Sequence, residues 1–162
     1  MAIVQSIESI VVNQSSDQSP VSSSGTDKCR VTLRFFGDRL DPNSITEVLG
    51  VQPTKSCRKG DIFHGKVRDR IEKTGKWIYR SDEWKAIHLE DQINQLLDRL
   101  PENLDVWHEL TANFQADLFC GWSVKRSNPG IFFLPETLKR IVDRGLGFGL
   151  DIYFSPEEDE QS

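Results

Sequence analysis

The sequence contains little cysteine and no long hydrophobic run, and both absences exclude classes of protein. Only three of its 162 residues are cysteines, at wide spacing and without a C-x-x-C pair. An odd, scattered set of cysteines is not a disulfide framework, and the missing pair removes the usual pattern of a structural zinc site. No stretch approaches the roughly 20 apolar residues that a membrane-spanning helix needs. We therefore expect reduced thiols, no membrane association and a cytoplasmic location.

The sequence also lacks the short motifs that mark common catalytic sites. It contains no G-x-S-x-G elbow, no P-loop and no G-x-G-x-x-G fingerprint. The three histidines, His64, His88 and His108, form no H-x-x-x-H metal pair. Cys57 and His64 form a nucleophile and base only if the chain folds back between them, and no third orienting group is evident. These absences predict no catalytic residue, no metal site and no cofactor, and they favour a non-enzymatic protein.

Positive charge is in the minority. The chain has 20 Lys and Arg residues against 25 Asp and Glu residues, for a formal net charge of -5. Because affinity for phosphates comes mainly from Lys and Arg, this balance excludes a general nucleic-acid coat protein. It leaves open a local basic surface that binds an anionic partner.

The two ends of the chain differ in composition from the middle. Residues 13–27 are mostly Ser, Gln, Asp, Gly and Pro, and the chain ends in the acidic string EEDEQS. Such segments bury too little apolar surface to offset the entropy lost on ordering. No Lys or Arg precedes the apolar residues near the start, so we predict no secretory signal. We expect a flexible segment over 1–28 with a further short element at 3–12 left open, one domain over 29–155, and a disordered acidic tail over 156–162.

The spacing of apolar residues predicts the elements of this domain. Alternation predicts strands over residues 29–36, 55–63, 76–80, 116–124, 131–133 and 147–154. Helical spacing predicts helices over residues 42–49, 88–100, 104–110 and 135–144. Together they predict an α+β fold, with helices on one face of a mainly antiparallel sheet. A faint echo between residues 35–50 and 132–145 suggests two related halves of ferredoxin-like type.

Two helices share a start and a stop signal. Each opens on a proline, Pro42 or Pro135, and closes on a glycine, Gly50 or Gly145. Asp41 is the predicted N-cap of the first helix. The predicted buried stripes are Ile45, Val48 and Leu49 on the first helix, and Leu138, Ile141 and Val142 on the last.

An ordered series of motifs resembles a known family. The series is RFFGDRLDPNSITEVLG, PTKSCRKGD, LEDQINQLLDRL, ADLFCGWS and LPETLKRIVDRGLGFGLDIYF. Over residues 30–154 the chain resembles the bacterial domain-of-unknown-function family 4279. The resemblance implies a small bacterial cytosolic domain, and it brings no reaction, cofactor or catalytic residue. In that family the position of Cys57 is commonly a bulky aromatic, which implies a packing role for Cys57.

Charge is segregated along the chain. Residues 55–80 contain nine basic residues against three acidic ones, whereas residues 82–117 contain nine acidic residues against two basic ones. One interpretation is a basic hairpin that binds an acidic partner, with Arg58, Lys59, Arg68 and Arg70 as its contact residues. The other interpretation is that the hairpin and an acidic helix face attract each other within the fold.

The string RKGD at residues 58–61 is the most site-like part of the hairpin. Arg58 and Lys59 are suited to holding an anion, Gly60 permits close backbone approach, and Asp61 orients Arg58. The alternative is a tight turn with a local ion pair.

The tryptophans divide between core and surface. Trp107 and Trp122 fall on apolar stripes and are predicted to pack in the core. Trp77 lies on a strand of the basic hairpin, and we count it as a candidate binding residue. Trp84 lies among acidic residues and is predicted to be partly exposed, as in protein interfaces.

These patterns favour a non-enzymatic protein-binding domain whose basic hairpin contacts an acidic protein. One form of this hypothesis is an immunity-type protein that neutralises a toxin. The alternative is an enzyme or small-ligand-binding domain with an anion pocket near Arg58, Lys59, Asp61 and Trp77. A weak nucleic-acid binder is the third interpretation. The sequence predicts neither the partner nor the oligomeric state.

Overall fold

A computed structural model describes residues 27–81, 88–125 and 129–154. Within these ranges the strands are β1 (Lys28–Gly37), β2 (Lys55–Cys57), β3 (Ile62–Phe63), β4 (Arg70–Ile71), β5 (Gly75–Arg80), β6 (Gln115–Val124) and β7 (Gly147–Phe154). The helices are α1 (Pro42–Leu49), α2 (Leu89–Leu97), α3 (Leu104–Asn113) and α4 (Pro135–Asp143). The predicted terminal segments, the open element at 3–12, and Trp84 lie outside the described residues.

Five of the strands form one sheet in the order β2-β5-β1-β6-β7. The pairs β2–β5, β1–β5 and β1–β6 are antiparallel, and β6–β7 is parallel. Strands β3 and β4 form a separate two-stranded sheet. The predicted α+β fold with a mainly antiparallel sheet is confirmed.

Two strand–helix–strand units build the main sheet. In the first, β1 and β2 are parallel to each other and β5 lies between them, which is a split βαβ unit of the ferredoxin-like kind. In the second, β6, α4 and β7 form a βαβ unit whose strands are direct neighbours. The two units meet at the antiparallel β1–β6 pair in the centre of the sheet.

The helices cover one face of the sheet, and the core lies between them. Val31, Leu33 and Phe35 alternate along β1 and are wholly buried, as predicted. The Phe35 ring stacks on Trp107 of α3 and meets Trp77 of β5 edge-on, at centroid distances of 6.4 Å and 5.9 Å. Such aromatic pairs add about 0.5–1.5 kcal/mol each beyond the area that they bury.

The indole N–H groups of the two wholly buried tryptophans are satisfied, which lets these rings lie deep in the core. Trp77 Nε1 donates to Thr46 Oγ1 of α1 at 3.0 Å. Trp107 Nε1 donates to the Pro101 carbonyl oxygen at 2.8 Å. An unpaired buried N–H would cost about 1–3 kcal/mol. The first bond ties α1 to the sheet, and the second ties α3 to the segment that precedes it.

The predicted helix signals are confirmed, but the predicted stripes are partly wrong. Asp41 Oδ1 accepts from the Asn43 N–H at 3.1 Å, and Gly50 has φ 70°. Val48 is nevertheless exposed, because α1 is short and contacts the sheet through Ile45 and Leu49.

On α4 two of the three predicted stripe residues are exposed, namely Leu138 and Val142. The residues that face the core are Thr137 and Ile141. Thr137 Oγ1 accepts from Asn94 Nδ2 of α2 at 2.9 Å, so the buried face of α4 includes a polar contact between the helices.

Two predicted strands are also corrected. The strand over 55–63 is broken into β2 and β3 by a turn in which Gly60 has φ 90°, a conformation that favours glycine. Residues 131–133 form no strand. Phe133 instead packs its ring edge-on against Phe148 of β7, at 5.4 Å between centroids.

Candidate functional site

A two-stranded arm projects between β2 and β5. We define the arm as residues 58–73, which contain β3 and β4 paired through Ile62–Ile71 and Phe63–Arg70. Every residue of the arm is exposed except Glu72. The arm therefore contributes almost nothing to the core and presents nearly all of its side chains to solvent.

Glu72 fixes the arm at its base. Its side chain is 3 % exposed, Lys76 Nζ lies 2.6 Å from Oε2, and Arg70 Nη2 bonds to Oε1. These hydrogen bonds, first from Lys76 and then from Arg70, lower the pKa of Glu72 to about 2. The Glu72 backbone N–H also donates to the Asp61 carbonyl oxygen at 2.9 Å. Sequence reasoning missed this residue, although an acid flanked by Arg70 and Lys76 was a usable signal.

The RKGD string forms a tight turn. Asp61 Oδ2 accepts from the Arg58 backbone N–H at 2.7 Å, and the Asp61 N–H donates to the Arg58 carbonyl oxygen at 3.3 Å. Gly60 donates from its N–H to the Glu72 carbonyl oxygen at 2.8 Å. Asp61 thus holds the backbone of Arg58 and not its guanidinium, as the turn interpretation expects.

The cationic side chains of the turn are held by the segment that leads into α1. Arg58 Nη2 donates to Asp41 Oδ1 at 2.6 Å, and Lys59 Nζ pairs with Asp38 Oδ2. The hydrogen bond from Lys59 is the main cause that lowers the pKa of Asp38. Both cations stay about half exposed. They anchor the arm to the domain, so less of their charge is free for an external anion.

The remaining predicted contact residues differ in exposure and in ion pairing. Arg68 is exposed and forms no ion pair with any residue that the structure describes. Arg70 is mostly exposed but bonds to Glu72. Trp77 is wholly buried, so its prediction as a surface contact is wrong. Its position opposite Phe35 in the β1–β5 register directs the ring into the core.

The arm exposes apolar side chains that sequence reasoning did not count. Ile62, Phe63 and Ile71 are each more than half exposed, and Val67 near the tip is 97 % exposed. Lys55 Nζ of β2 lies 5.0 Å from the centre of the Phe63 ring, within cation–π range. The arm therefore presents large apolar side chains and cationic groups together on one projecting element.

The structure does not assemble the Cys57 and His64 nucleophile pair. His64 Nδ1 lies 3.1 Å from Asp69 Oδ2 within the arm. Cys57 Sγ lies 3.9 Å from the Thr74 carbonyl oxygen, and burial is the main cause that raises the pKa of its thiol. A raised pKa disfavours the reactive thiolate, so this pair has no activated nucleophile.

Two open concavities lie on the surface, and the first adjoins Asp38, the ion-pair partner of Lys59. One, of about 480 Å³, is lined by Phe36, Gly37, Asp38, Thr74, Asn113 and Gln115. The other, of about 460 Å³, lies along residues 111–116 and Gly145. Neither includes Arg58, Lys59, Asp61 or Trp77 among its lining residues.

Acidic residues of α2 and of its C-terminal end form contacts within the layer of helices. Asp98 Oδ1 accepts from Arg140 Nη2 of α4 at 2.6 Å, and Glu90 Oε1 accepts from the Leu134 N–H at 2.7 Å. Over residues 27–81, 88–125 and 129–154, no ion pair joins the arm to α2 or α3. Among the described residues, the ion pairs of each charge block are therefore made with nearby partners and not between the arm and these helices.

Comparison with protein families gives one match. The model described as Domain of unknown function (DUF4279) matches residues 27–155, as the motif series predicted. No curated protein and no solved structure matches the chain. None of the described helices has the length and apolarity to cross a membrane.

Proposed function

Since the chain belongs to the DUF4279 family, which carries no assigned activity, we propose its function from the geometry of the arm. The chain is a non-enzymatic protein-binding domain of the bacterial cytoplasm, and the arm is its contact element. The partner presents an acidic surface beside an apolar cleft. An immunity-type protein, which neutralises a toxin by binding it, is one form of this proposal.

The observation that carries the proposal is the exposure of large apolar side chains on an anchored arm. Val67 and Ile71 gain nothing from the domain core, since they lie in solvent. Burial against a partner would remove this apolar surface from water, while the neighbouring Arg68 would accelerate association with an acidic surface. The anchoring by Glu72 reduces the entropy that the arm would otherwise lose on binding.

The alternative of a pocket enzyme has less support. Its pocket needed free cations at Arg58 and Lys59, and both are engaged by Asp41 and Asp38. It also needed the Trp77 ring at the surface, and the ring is wholly buried.

A capture experiment tests the proposal with two arm variants. Val67→Asp removes apolar contact at the tip, and Arg68→Glu reverses a cation that is not paired with a described residue. The immobilised full chain and each variant are incubated with lysate of the native source cells, and captured proteins are quantified by mass spectrometry. We expect each arm variant to retain at most about a tenth of the main captured protein. A tenfold loss of affinity corresponds to the loss of a contact worth about 1.4 kcal/mol.

Two matched controls separate binding from folding. Val48→Asp changes an exposed valine on α1, and Lys125→Glu reverses an exposed lysine next to β6, at the opposite end of the sheet from the arm. Both controls keep wild-type capture. Capture that is equal in the arm variants and in the controls would show that the arm is not the contact element.

A further inference from the structure

The outer edge of the main sheet forms a second exposed surface, far from the arm. β7 is the last strand in the sheet order and pairs only with β6 among the described strands. Within the part of the chain that the structure describes, no strand lies on its outer side. The strand has eight residues and contains no lysine or proline, the residues that natural proteins use to block exposed edges.

Apolar side chains continue from this edge onto α4. Leu134, Leu138 and Val142 follow one another at intervals of four residues, so they line one side of the helix, and all three are exposed. α4 contacts β7, and in the β6–β7 register Phe148 and Ile152 stand beside buried residues of the helix-covered face. The edge strand and the exposed side of α4 thus form one apolar surface, which we call the β7 edge.

We propose that the β7 edge binds a second copy of the chain, with β7 antiparallel to its counterpart about a two-fold axis. The axis is perpendicular to the sheet, so the two five-stranded sheets become one and the helices of both copies stay on the same side. The arm lies between β2 and β5 at the far side of each sheet and stays free for its own partner.

Geometry favours a second copy over an unrelated partner. Paired strands lie about 4.8 Å apart, so two β7 strands in contact bring the two α4 helices side by side. Packed helices have axes 8–10 Å apart, a separation at which the two lines of Leu134, Leu138 and Val142 meet. One symmetric contact therefore covers both the backbone edge and the helix stripe.

The exposed apolar area reaches the lower end of the range of stable dimer interfaces. Six large apolar side chains of the β7 edge are between 41 % and 70 % exposed, namely Leu134, Leu138, Val142, Phe148, Ile152 and Phe154. An aromatic ring buries about 150–250 Å² in full, so side chains that are about half exposed offer roughly 100 Å² each, or about 600 Å² per copy. Stable interfaces bury about 600–1,000 Å² per partner.

The charge of Asp151 selects the register. Symmetry requires that facing residues lie on the same side of both strands, so the two registers with most overlap centre on Leu150 or on Asp151. Centring on Asp151 sets two carboxylates directly opposite each other, which is destabilising. Centring on Leu150 sets Asp151 opposite Gly149 of the other copy and Phe148 opposite Ile152, so this register is the one proposed.

Solution mass tests the proposal with the full chain. Light scattering or native mass spectrometry at micromolar concentration is expected to give twice the chain mass. Val142→Glu and Ile152→Lys are expected to weaken dimerisation at least tenfold, while Val48→Glu on α1 leaves it unchanged. Far-UV circular dichroism identifies a variant that fails to fold. The effect of the other variant on dimerisation then decides between the two outcomes.

A cysteine pair tests the register. Leu150→Cys faces its own counterpart at a distance that allows a disulfide, and mild oxidation is expected to give a covalent dimer. Asp151→Cys is separated from its counterpart by about 7–8 Å across the diagonal and is expected to stay unlinked. A wild-type chain that is monomeric overturns the proposal. This includes the cases in which residues 1–26 or another protein, and not a second copy, covers the edge. A dimer that survives both charge variants, or that links through Asp151→Cys alone, overturns it as well.

Discussion

At the scale of single residues, Glu72 has the largest electrostatic role in the arm. It is an acid in a basic segment, and its carboxylate receives hydrogen bonds from Lys76 and Arg70. Because these bonds need the ionised form, the anchoring of the arm depends on the charge of this one carboxylate.

The pKa of Glu72 predicts a specific loss of stability in acid. The folded pKa is about 2, below the ordinary value of 4.5, so Glu72 contributes stability that is present above pH 4.5 and is lost as the pH falls toward 2. Glu72→Gln is expected to lack this part of the pH dependence. Denaturant unfolding at several pH values measures it, with Glu109→Gln on the exposed side of α3 as the control. Identical slopes for Glu72→Gln and wild type would contradict the anchoring role.

The cysteines predict an order of chemical labelling. Burial, as the main cause, raises the pKa of Cys29 to about 11 and that of Cys120 to about 12, so both thiols stay protonated and covered at pH 8. Cys57 is only half-buried. A thiol reagent at pH 8 is expected to label Cys57 first, and Cys29 and Cys120 only as the protein unfolds, as read by peptide mass spectrometry. Labelling of Cys120 as fast as Cys57 would show that the core is not closed.

At the scale of elements, Asp41 joins α1 to the arm. Its Oδ1 caps the helix through the Asn43 N–H and also receives the Arg58 guanidinium. Asp41→Ala removes both contacts, and the lost cap alone costs about 1 kcal/mol. Asp41→Asn keeps the cap and is expected to cost less, because an exposed ion pair adds only about 0.2–1 kcal/mol. Urea unfolding of both variants with and without Arg58→Ala measures the two contributions, and equal losses for Ala and Asn would contradict the cap.

Sequence patterns predict an element well when only one of its faces is apolar enough to be buried. Val31, Leu33 and Phe35 alternate with polar residues, so only one face of β1 is suited to the core. α4 has two apolar lines, and the spacing of Leu138 and Val142 does not say which line is buried. The packing of α4 against α2, in which Thr137 contacts Asn94 and Ile141 is buried, selects the line, and that packing is absent from any local pattern.

The candidate site was predictable only in part for the same reason. The excess of cations over residues 55–80 located the arm, but spacing did not show that Arg58 and Lys59 are held by Asp41 and Asp38. Trp77 was misplaced because a strand of a charged hairpin looks exposed until its neighbour β1 is known.

At the scale of the whole molecule, the net charge of -5 conceals separate groups of ion pairs among the described residues. One group joins the arm to the start of α1, another joins α2 to α4, and the Arg34–Asp117 pair joins β1 to β6. The arm lies near the β2 edge of the sheet, and the β7 edge is the opposite one. Partner binding by the arm and self-association through β7 are therefore expected to be independent.

Site-specific photocrosslinking tests the central claim, that the arm contacts a protein partner, most directly. A benzoylphenylalanine placed at Val67, which is 97 % exposed, is irradiated in the native source cells, with the same group at Val48 as the control. We predict one dominant adduct of defined mass from position 67, absent from position 48 and lost in combination with Arg68→Glu. The same adducts from both positions, or none from position 67, would contradict the claim.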